Sequence, residues 1–212
     1  MQVDYKRIVN PILMGLIVIG AMSYKPVIAS SSITKEDVRL EKSTPKTVAQ
    51  NQGVYRSDRY KFRFTYPSRD FVIDRNISTP SNTVGSALAT IDIWTKQQAQ
   101  KIRAGAYEGG TEYPPNVNVR VYNNPKKLPL QNWVKQSNQF SQTRDFRTAR
   151  IAGQTGIKFN SDGLYASENV VFVNPRDSRI IVIAFSKIGG NNDVIYRRAY
   201  QQVVNSFAFV NR

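Results

Sequence analysis

The sequence predicts a domain of the α+β class, organised around an antiparallel sheet that is covered on both sides. The main evidence is two apolar runs, Val170–Val173 and Ile180–Phe185, which flank the segment Asn-Pro-Arg-Asp at 174–177. Proline presets the backbone of a type I turn, and Asn and Asp hydrogen-bond their own backbone in turns, so this stretch is interpreted as a hairpin. The second run does not alternate with polar residues, which is typical of a strand buried on both faces. Short connections among about six to eight strands and two or three helices favour α+β over a doubly wound fold.

Residues 1–29 have the three-part form of a secretory signal peptide. Lys6 and Arg7 supply a positive start, an apolar core follows, and Val-Ile-Ala at 27–29 precedes the expected cleavage before Ser30. The core of about 15 residues, interrupted by Pro11, is shorter than the ~20 that span a bilayer, although an uncleaved anchor is the alternative. Residues 30–54 mix polar residues without apolar periodicity. We therefore expect export, and a disordered linker at 30–54 that leads to a folded domain at 55–212.

The candidate site comes from an alternating segment at the start of the folded domain. Along 59–66 the aromatic residues point to one side and the basic residues to the other. This period of two predicts a strand with an aromatic core face and a basic outer face. The basic face is interpreted either as an anion-binding stripe or as a solvated strand face. The candidate partner-binding residues are Arg56, Arg59, Lys61 and Arg63.

The remaining elements follow in chain order from periodicity and turn chemistry. Strands are expected at 71–74, 87–95 and 117–122, with a short helix at 95–105. An amphipathic helix over 130–140 places Trp133 as a core anchor rather than a ligand platform. Segment 147–160 predicts two strands around a turn at 153–156. The last helix is expected to be N-capped by Asp193 and to lead into a short strand, or an extended end packed on the core, that carries Phe207 and Phe209.

The composition excludes several kinds of catalytic and metal site. The chain has no Cys and no His, so it cannot use thiolates, catalytic triads with His, or Cys and His metal ligands. It contains no P-loop, GxGxxG, HExxH or EF-hand pattern, and its carboxylates are dispersed. Glu108 and Glu112 could chelate a hard cation such as Ca²⁺, but two loop charges without a function are the simpler interpretation. We therefore expect no enzyme activity and no cofactor.

The charge balance indicates an anionic partner. The chain carries 30 Lys and Arg against 15 Asp and Glu, a formal net charge of +15. Such a surplus favours an acidic protein surface or anionic lipid, the alternative being a solvated surface without a partner. Nucleic acid is not expected as a partner, because the basic residues are scattered and the aromatics of 59–66 face away from them.

Several segments together resemble the PsbP family, the extrinsic lumenal proteins of photosystem II. The aromatic strand runs into a Pro-Ser segment (YKFRFTYPSRDF), and a middle strand precedes a helix (NVNVRVYNNPKKLPLQNW). A Gly-centred hairpin follows (IAGQTGIKF), and then the hairpin VVFVNPRDSRIIVIAFS. After a last helix, the chain ends in a tail that matches the family at Ser206, Phe207 and Phe209. The resemblance covers roughly residues 60–210.

This resemblance implies an antiparallel sheet flanked by helices on both faces, a PsbP-like α/β/α sandwich. It also implies a cyanobacterial source and a place in the thylakoid lumen or periplasm, where members assist photosystem II through surface contacts. The chain lacks the Cys that would be lipidated and the His of some members' metal sites, so no metal ligand is expected. We expect a non-catalytic extrinsic or assembly factor that docks on photosystem II or a related membrane complex. The alternative is an envelope protein of the same fold that binds anionic lipid or cell-wall polymer, unrelated to photosynthesis.

Overall fold

The structure is a computed structural model that describes residues 51–74, 87–107, 114, 116–187 and 189–210, all within one compact unit, Thr44–Arg212. Ten strands and three helices lie in this part of the chain. The strands are β1 Gln52–Ser57, β2 Phe62–Pro67, β3 Phe71–Val72, β4 Ala89–Thr95, β5 Val117–Tyr122, β6 Arg144–Ile151, β7 Gln154–Ser161, β8 Ala166–Val173, β9 Ile180–Lys187 and β10 Ala208–Phe209. The helices are α1 Lys96–Arg103, α2 Leu130–Gln136 and α3 Asn191–Ser206.

The strands form two antiparallel sheets. A large sheet has the order β3-β4-β5-β9-β8-β7-β6, and a small sheet has the order β1-β2-β10. The predicted hairpin is confirmed as β8–β9, with Val173 opposite Ile180. Strand β9 is the middle strand of the large sheet, and its first six residues are all buried. The unbroken apolar run therefore has the predicted cause, a strand covered on both faces.

Helices cover both faces of the large sheet, which confirms the predicted α+β arrangement. On one face, alternate β9 residues Ile181 and Ile183 belong to a core that also holds Ala199 and Val203 of α3. On the other face, Val182 and its neighbours pack with Trp133 and Val134 of α2. Trp133 is 8% exposed, so its predicted role as a core anchor is confirmed.

The small sheet completes the α3 side of the core. Helix α3 packs against β2 as well as against β5 and β9. The aromatic face of β2 meets the C-terminal tail here: the Phe207 ring lies 4.9 Å from that of Phe62 and 5.0 Å from that of Phe172 on β8, measured between centroids. Phe207 is 4% exposed and therefore joins the two sheets by direct ring contacts.

Several boundaries differ from those predicted: α2, for example, ends at Gln136 rather than at residue 140, and β6 begins at Arg144 rather than at residue 147. Strand β1 begins at Gln52, so the last three residues of the predicted linker 30–54 belong to a strand, because they pair with β2. Helix α3 begins at Asn191, and Asp193 is its third residue rather than its N-cap; the Asp193 carboxylate accepts a hydrogen bond from the Gly189 backbone N–H at 3.1 Å. The turn between β6 and β7 is Ala152-Gly153, both with positive φ, which shortens the predicted turn at 153–156.

Some predictions lie outside the described residues. These are the signal peptide at 1–29, most of the linker, and the Glu108 and Glu112 loop. In the segments that the structure describes, no helix is long and apolar enough to cross a bilayer.

Candidate functional site

The four basic residues identified from the sequence lie on the β1–β2 hairpin, but they do not form one strand face. Arg56 on β1 and Arg63 on β2 are direct cross-strand partners. Arg59 and Lys61 belong instead to the four-residue turn 58–61, where Lys61 has φ 55°. The prediction of a single strand over 59–66 is therefore wrong for residues 59–61, because the chain reverses at Lys61 to pair Ser57 with Phe62.

A second turn, between β8 and β9, brings two further arginines to the same place. The Asn174 side-chain amide donates a hydrogen bond to the Tyr60 carbonyl at 3.3 Å, which links the two turns. The guanidinium groups of Arg59 and Arg179 lie 5.3 and 5.2 Å from the Tyr60 ring centroid, within the range of cation–π contacts. The Tyr60 ring, 4% exposed, is thus a fixed apolar support for both cations.

Arg176 is linked to the first turn by hydrogen bonds through Val210, which follows the last strand. Its Nη2 donates to the Val210 carbonyl at 2.6 Å, and the Val210 N–H donates to the Lys61 carbonyl at 2.9 Å. The two turns and the end of β10 are therefore tied by hydrogen bonds. We call the resulting surface the basic patch: Arg56, Arg59, Lys61, Arg63, Arg176 and Arg179.

Among the described residues, two carboxylates lie in the patch, and each is paired. Asp58 accepts a hydrogen bond from Arg56 Nε at 2.8 Å, and Asp177 from Arg179 Nη1 at 2.9 Å. The hydrogen bond and charge of Arg56, assisted by the charge of Lys61, hold the pKa of Asp58 below its ordinary value. Six cations against two carboxylates leave a positive surplus. Since single exposed pairs contribute little, the patch acts on a partner through its summed field.

Arg176 and Arg179 were missed by the sequence analysis. Their segment was interpreted only as a turn, and Asn174 lies 113 positions after Lys61 in the chain. A local signal was present, because two arginines in a tight turn are held near the surface. Their proximity to Arg59 depends on the contact between Asn174 and Tyr60, which no local pattern encodes.

A row of buried polar side chains crosses the face of the large sheet that is opposite to α3. Asn118, which alternates with valines along β5, is nevertheless 2% exposed. The Asn116 side-chain amide donates to an Asp92 carboxylate oxygen at 2.6 Å, and the Asn118 amide donates to the Asn116 side-chain oxygen at 3.2 Å. On β8, the Asn169 amide donates to the Ser161 hydroxyl at 2.9 Å. These bonds satisfy most of the buried polar groups and hold β4, β5, β7 and β8 in register.

Burial sets the protonation of three tyrosines in the core. Burial raises the pKa of Tyr122, Tyr196 and Tyr200, so these phenols keep their protons at neutral pH. Among the described residues, no group of three or more Asp or Glu side chains is placed to hold a metal ion. The chemistry that the basic patch can perform is the binding of anions.

Comparisons with known proteins give a likeness of shape and no close relative by sequence. No family model matches the chain, and no curated protein matches its sequence. The solution structure of cyanobacterial PsbP (CyanoP) from Synechocystis sp. PCC 6803 is similar with a TM-score of 0.46 and 12% identity, over 79% of this chain and 97% of that one. A crystal structure from Bacteroides thetaiotaomicron VPI-5482 is similar with a TM-score of 0.42 and 9% identity, over 75% of this chain and 48% of that one. The chain thus spans about half the length of the Bacteroides protein. Likenesses at these values assign no function.

Proposed function

We propose that this is an exported, non-catalytic protein that docks through the basic patch on an acidic surface of a membrane protein complex. One observation carries the proposal: two turns far apart in sequence, with the β1–β2 strand pair beside them, bring six cations together, and two carboxylates lie among them in the described part of the chain. The complex that the sequence resemblance to the PsbP family suggests is photosystem II, on the lumenal side of the thylakoid membrane.

The form of the patch suits electrostatic docking. Arg63 projects from β2 on the side opposite Phe62 and Phe64, which are fully buried, so the cations stand on a rigid base. A rigid base reduces the side-chain ordering that binding requires. With no His in the chain, the patch has no group that ordinarily changes charge between pH 5 and 8. Binding should therefore weaken with salt and change little across that pH range, unless the partner itself titrates.

The test is a pull-down in which the tagged chain captures its partner from gently solubilised native membranes. The captured material is then washed across a salt series, and the amount retained is measured. The Arg59→Glu/Arg63→Glu variant should bind at least about tenfold more weakly at low salt, since both contacts become repulsive. The control Lys96→Glu/Lys126→Glu makes the same change in net charge at two exposed positions outside the patch and should bind like the unmodified chain.

Three outcomes contradict the proposal. Equal losses in both variants would mean that net charge, not the patch, governs retention. Retention that ignores salt would exclude electrostatic docking. Recovery of lipid or wall polymer without photosystem II subunits would keep the patch as the binding surface but favour the envelope alternative over the photosynthetic one.

A further inference from the structure

Strand β6 leaves one edge of the large sheet open. The strand order ends at β6, which pairs only with β7 in the part of the chain that the structure describes. After an irregularity between Arg144 and Arg147, the strand pairs regularly as far as Ile151. The outer side of such a strand presents a row of backbone N–H and C=O groups that can pair with another extended chain.

A groove follows this edge. It has a volume of about 380 Å³ and lies between β6 and the C-terminal end of α3. Its apolar part includes Ala149 and Ile151 of β6 and Val204 of α3, while Asn205 adds a polar group from the helix. Ile151 and Val204 belong to the same core, so the floor of the groove is fixed by packing.

Three cations line the groove. Arg147 and Lys158 are cross-strand partners on the face that carries Ala149, and Arg150 projects from the other face. All three are exposed, and among the described residues none forms an ion pair with a carboxylate. Arg144, at the start of the strand, differs because Asp162 neutralises it.

These charges decide which kind of strand the edge can accept. Two copies of β6 placed edge to edge would bring like charges together, so the cations oppose self-association. An acidic strand would meet the same cations as partners. We propose that the β6 edge and its groove bind an extended acidic segment of a partner protein by strand addition, at a site separate from the basic patch.

The alternation of β6 gives the preferred sequence of that segment. On the groove face, Arg147 requires an acidic neighbour, while Ala149 and Ile151 accept apolar ones. On the other face, Arg150 requires a second acidic residue. In an antiparallel partner strand, the first residue lies opposite Ile151 and the fifth lies opposite Arg147. From its N-terminus, the preferred order of that strand is therefore apolar, acidic, apolar, any residue, acidic.

The experiment measures binding of a fluorescent peptide with the order Val-Glu-Val-Thr-Glu to the full chain by anisotropy. Two further versions of the peptide are N-methylated on alternate residues, one on the odd-numbered and the other on the even-numbered residues. Both have the same charge as the unmodified peptide. Strand addition predicts that one version loses binding and the other retains it, since only one set of N–H groups faces β6. Equal binding of the two versions would overturn the proposal, because it would show attraction without backbone pairing.

Charge reversal locates the site. Arg147→Glu/Lys158→Glu should weaken binding of the unmodified peptide by about tenfold or more, whereas Lys96→Glu/Lys126→Glu, with the same change in net charge, should leave it unchanged. If Arg59→Glu/Arg63→Glu abolishes peptide binding and the groove variant does not, the peptide binds the basic patch and the assignment to β6 is wrong.

Discussion

Glu168 links three elements by its charge, and its replacement tests how α3 is held on the large sheet. Its carboxylate on β8 accepts from Arg197 Nη1 of α3 at 2.5 Å and binds Lys187 Nζ of β9 at 2.7 Å. The Glu168→Gln variant keeps the shape but removes the charge, and it leaves Lys187 and Arg197 facing each other. The interaction is only partly screened, because the Glu168 side chain is 25% exposed.

We expect this change to lower the free energy of unfolding at pH 7 by about 1–2 kcal/mol. A hydrogen bond to a charged group contributes about 1.5–3 kcal/mol when buried. Solvent reduces that value here, since the side chains of Lys187 and Arg197 are 29% and 41% exposed. For a domain of this size, about 1.5 kcal/mol lowers Tm by about 3–6 °C.

The pH dependence separates charge from packing. Partial burial acts to raise the pKa of Glu168, but the hydrogen bonds and charges of Lys187 and Arg197 outweigh burial and hold that pKa below its ordinary value of 4.5. A carboxyl whose pKa is lowered on folding stabilises the native state above its unfolded-state pKa, and the contribution disappears as pH falls through the folded-state pKa. The deficit of the variant should therefore be complete at pH 7 and shrink below about pH 4.5.

Urea denaturation at a series of pH values measures both the loss of unfolding free energy at pH 7 and the way this loss changes with pH. Asp58→Asn is the matched control: it also removes a paired carboxylate, but one whose side chain is 77% exposed, and should not change stability measurably. A deficit of the same size at pH 7 and at about pH 2.5 would refute the reasoning, because it would then arise from packing and not from the charge.

Three further changes have expected outcomes. Phe207→Ala should lower the free energy of unfolding by about 3–5 kcal/mol in urea denaturation, because it removes the ring that joins the two sheets, while Phe209→Ala at a half-buried position should have a smaller effect. Gly156→Ala should lower it by about 1–3 kcal/mol, since the new Cβ would lie 2.7 Å from the Val171 carbonyl oxygen; Gly163→Ala, whose nearest atom is 3.8 Å away, should change little. Arg63→Gln should raise Tm slightly by relieving a like-charge cross-strand pair, yet weaken membrane retention; a loss of both would contradict the docking role of this residue.

The sequence predicted the elements whose causes are local. The β8–β9 hairpin follows from turn residues between two apolar runs, and the helix after Thr95 begins where that side chain accepts a hydrogen bond from the Gln98 N–H at 3.2 Å. The sequence also indicated the burial of β9, because an apolar run without polar alternation is typical of a strand covered on both faces. The α+β class and the core role of Trp133 follow from the same kind of pattern.

The features that the sequence did not reveal lie where distant segments decide the local structure. Asn118 alternates with valines like an outward residue, yet it is buried because Asn116 and β4 supply its neighbours. Strand β3 follows β2 within a few residues, yet it joins the other sheet by pairing Phe71 with Thr95. Each outcome depends on which partner is available in the folded chain, and the alternation of a single strand contains no information about its partner.

By itself, the sequence determined a basic α+β domain without Cys or His chemistry, and it identified four of the six cations of the basic patch. Only the tertiary structure decided that Arg176 and Arg179 stand beside Arg59 and Lys61, and that, within the described residues, β6 is a sheet edge lined by cations without a carboxylate partner. The physical reason is the range of the interactions. Turns and buried runs are fixed by neighbours within a few residues, whereas both candidate binding surfaces are assembled by contacts such as that of Asn174 with Tyr60, 114 residues apart.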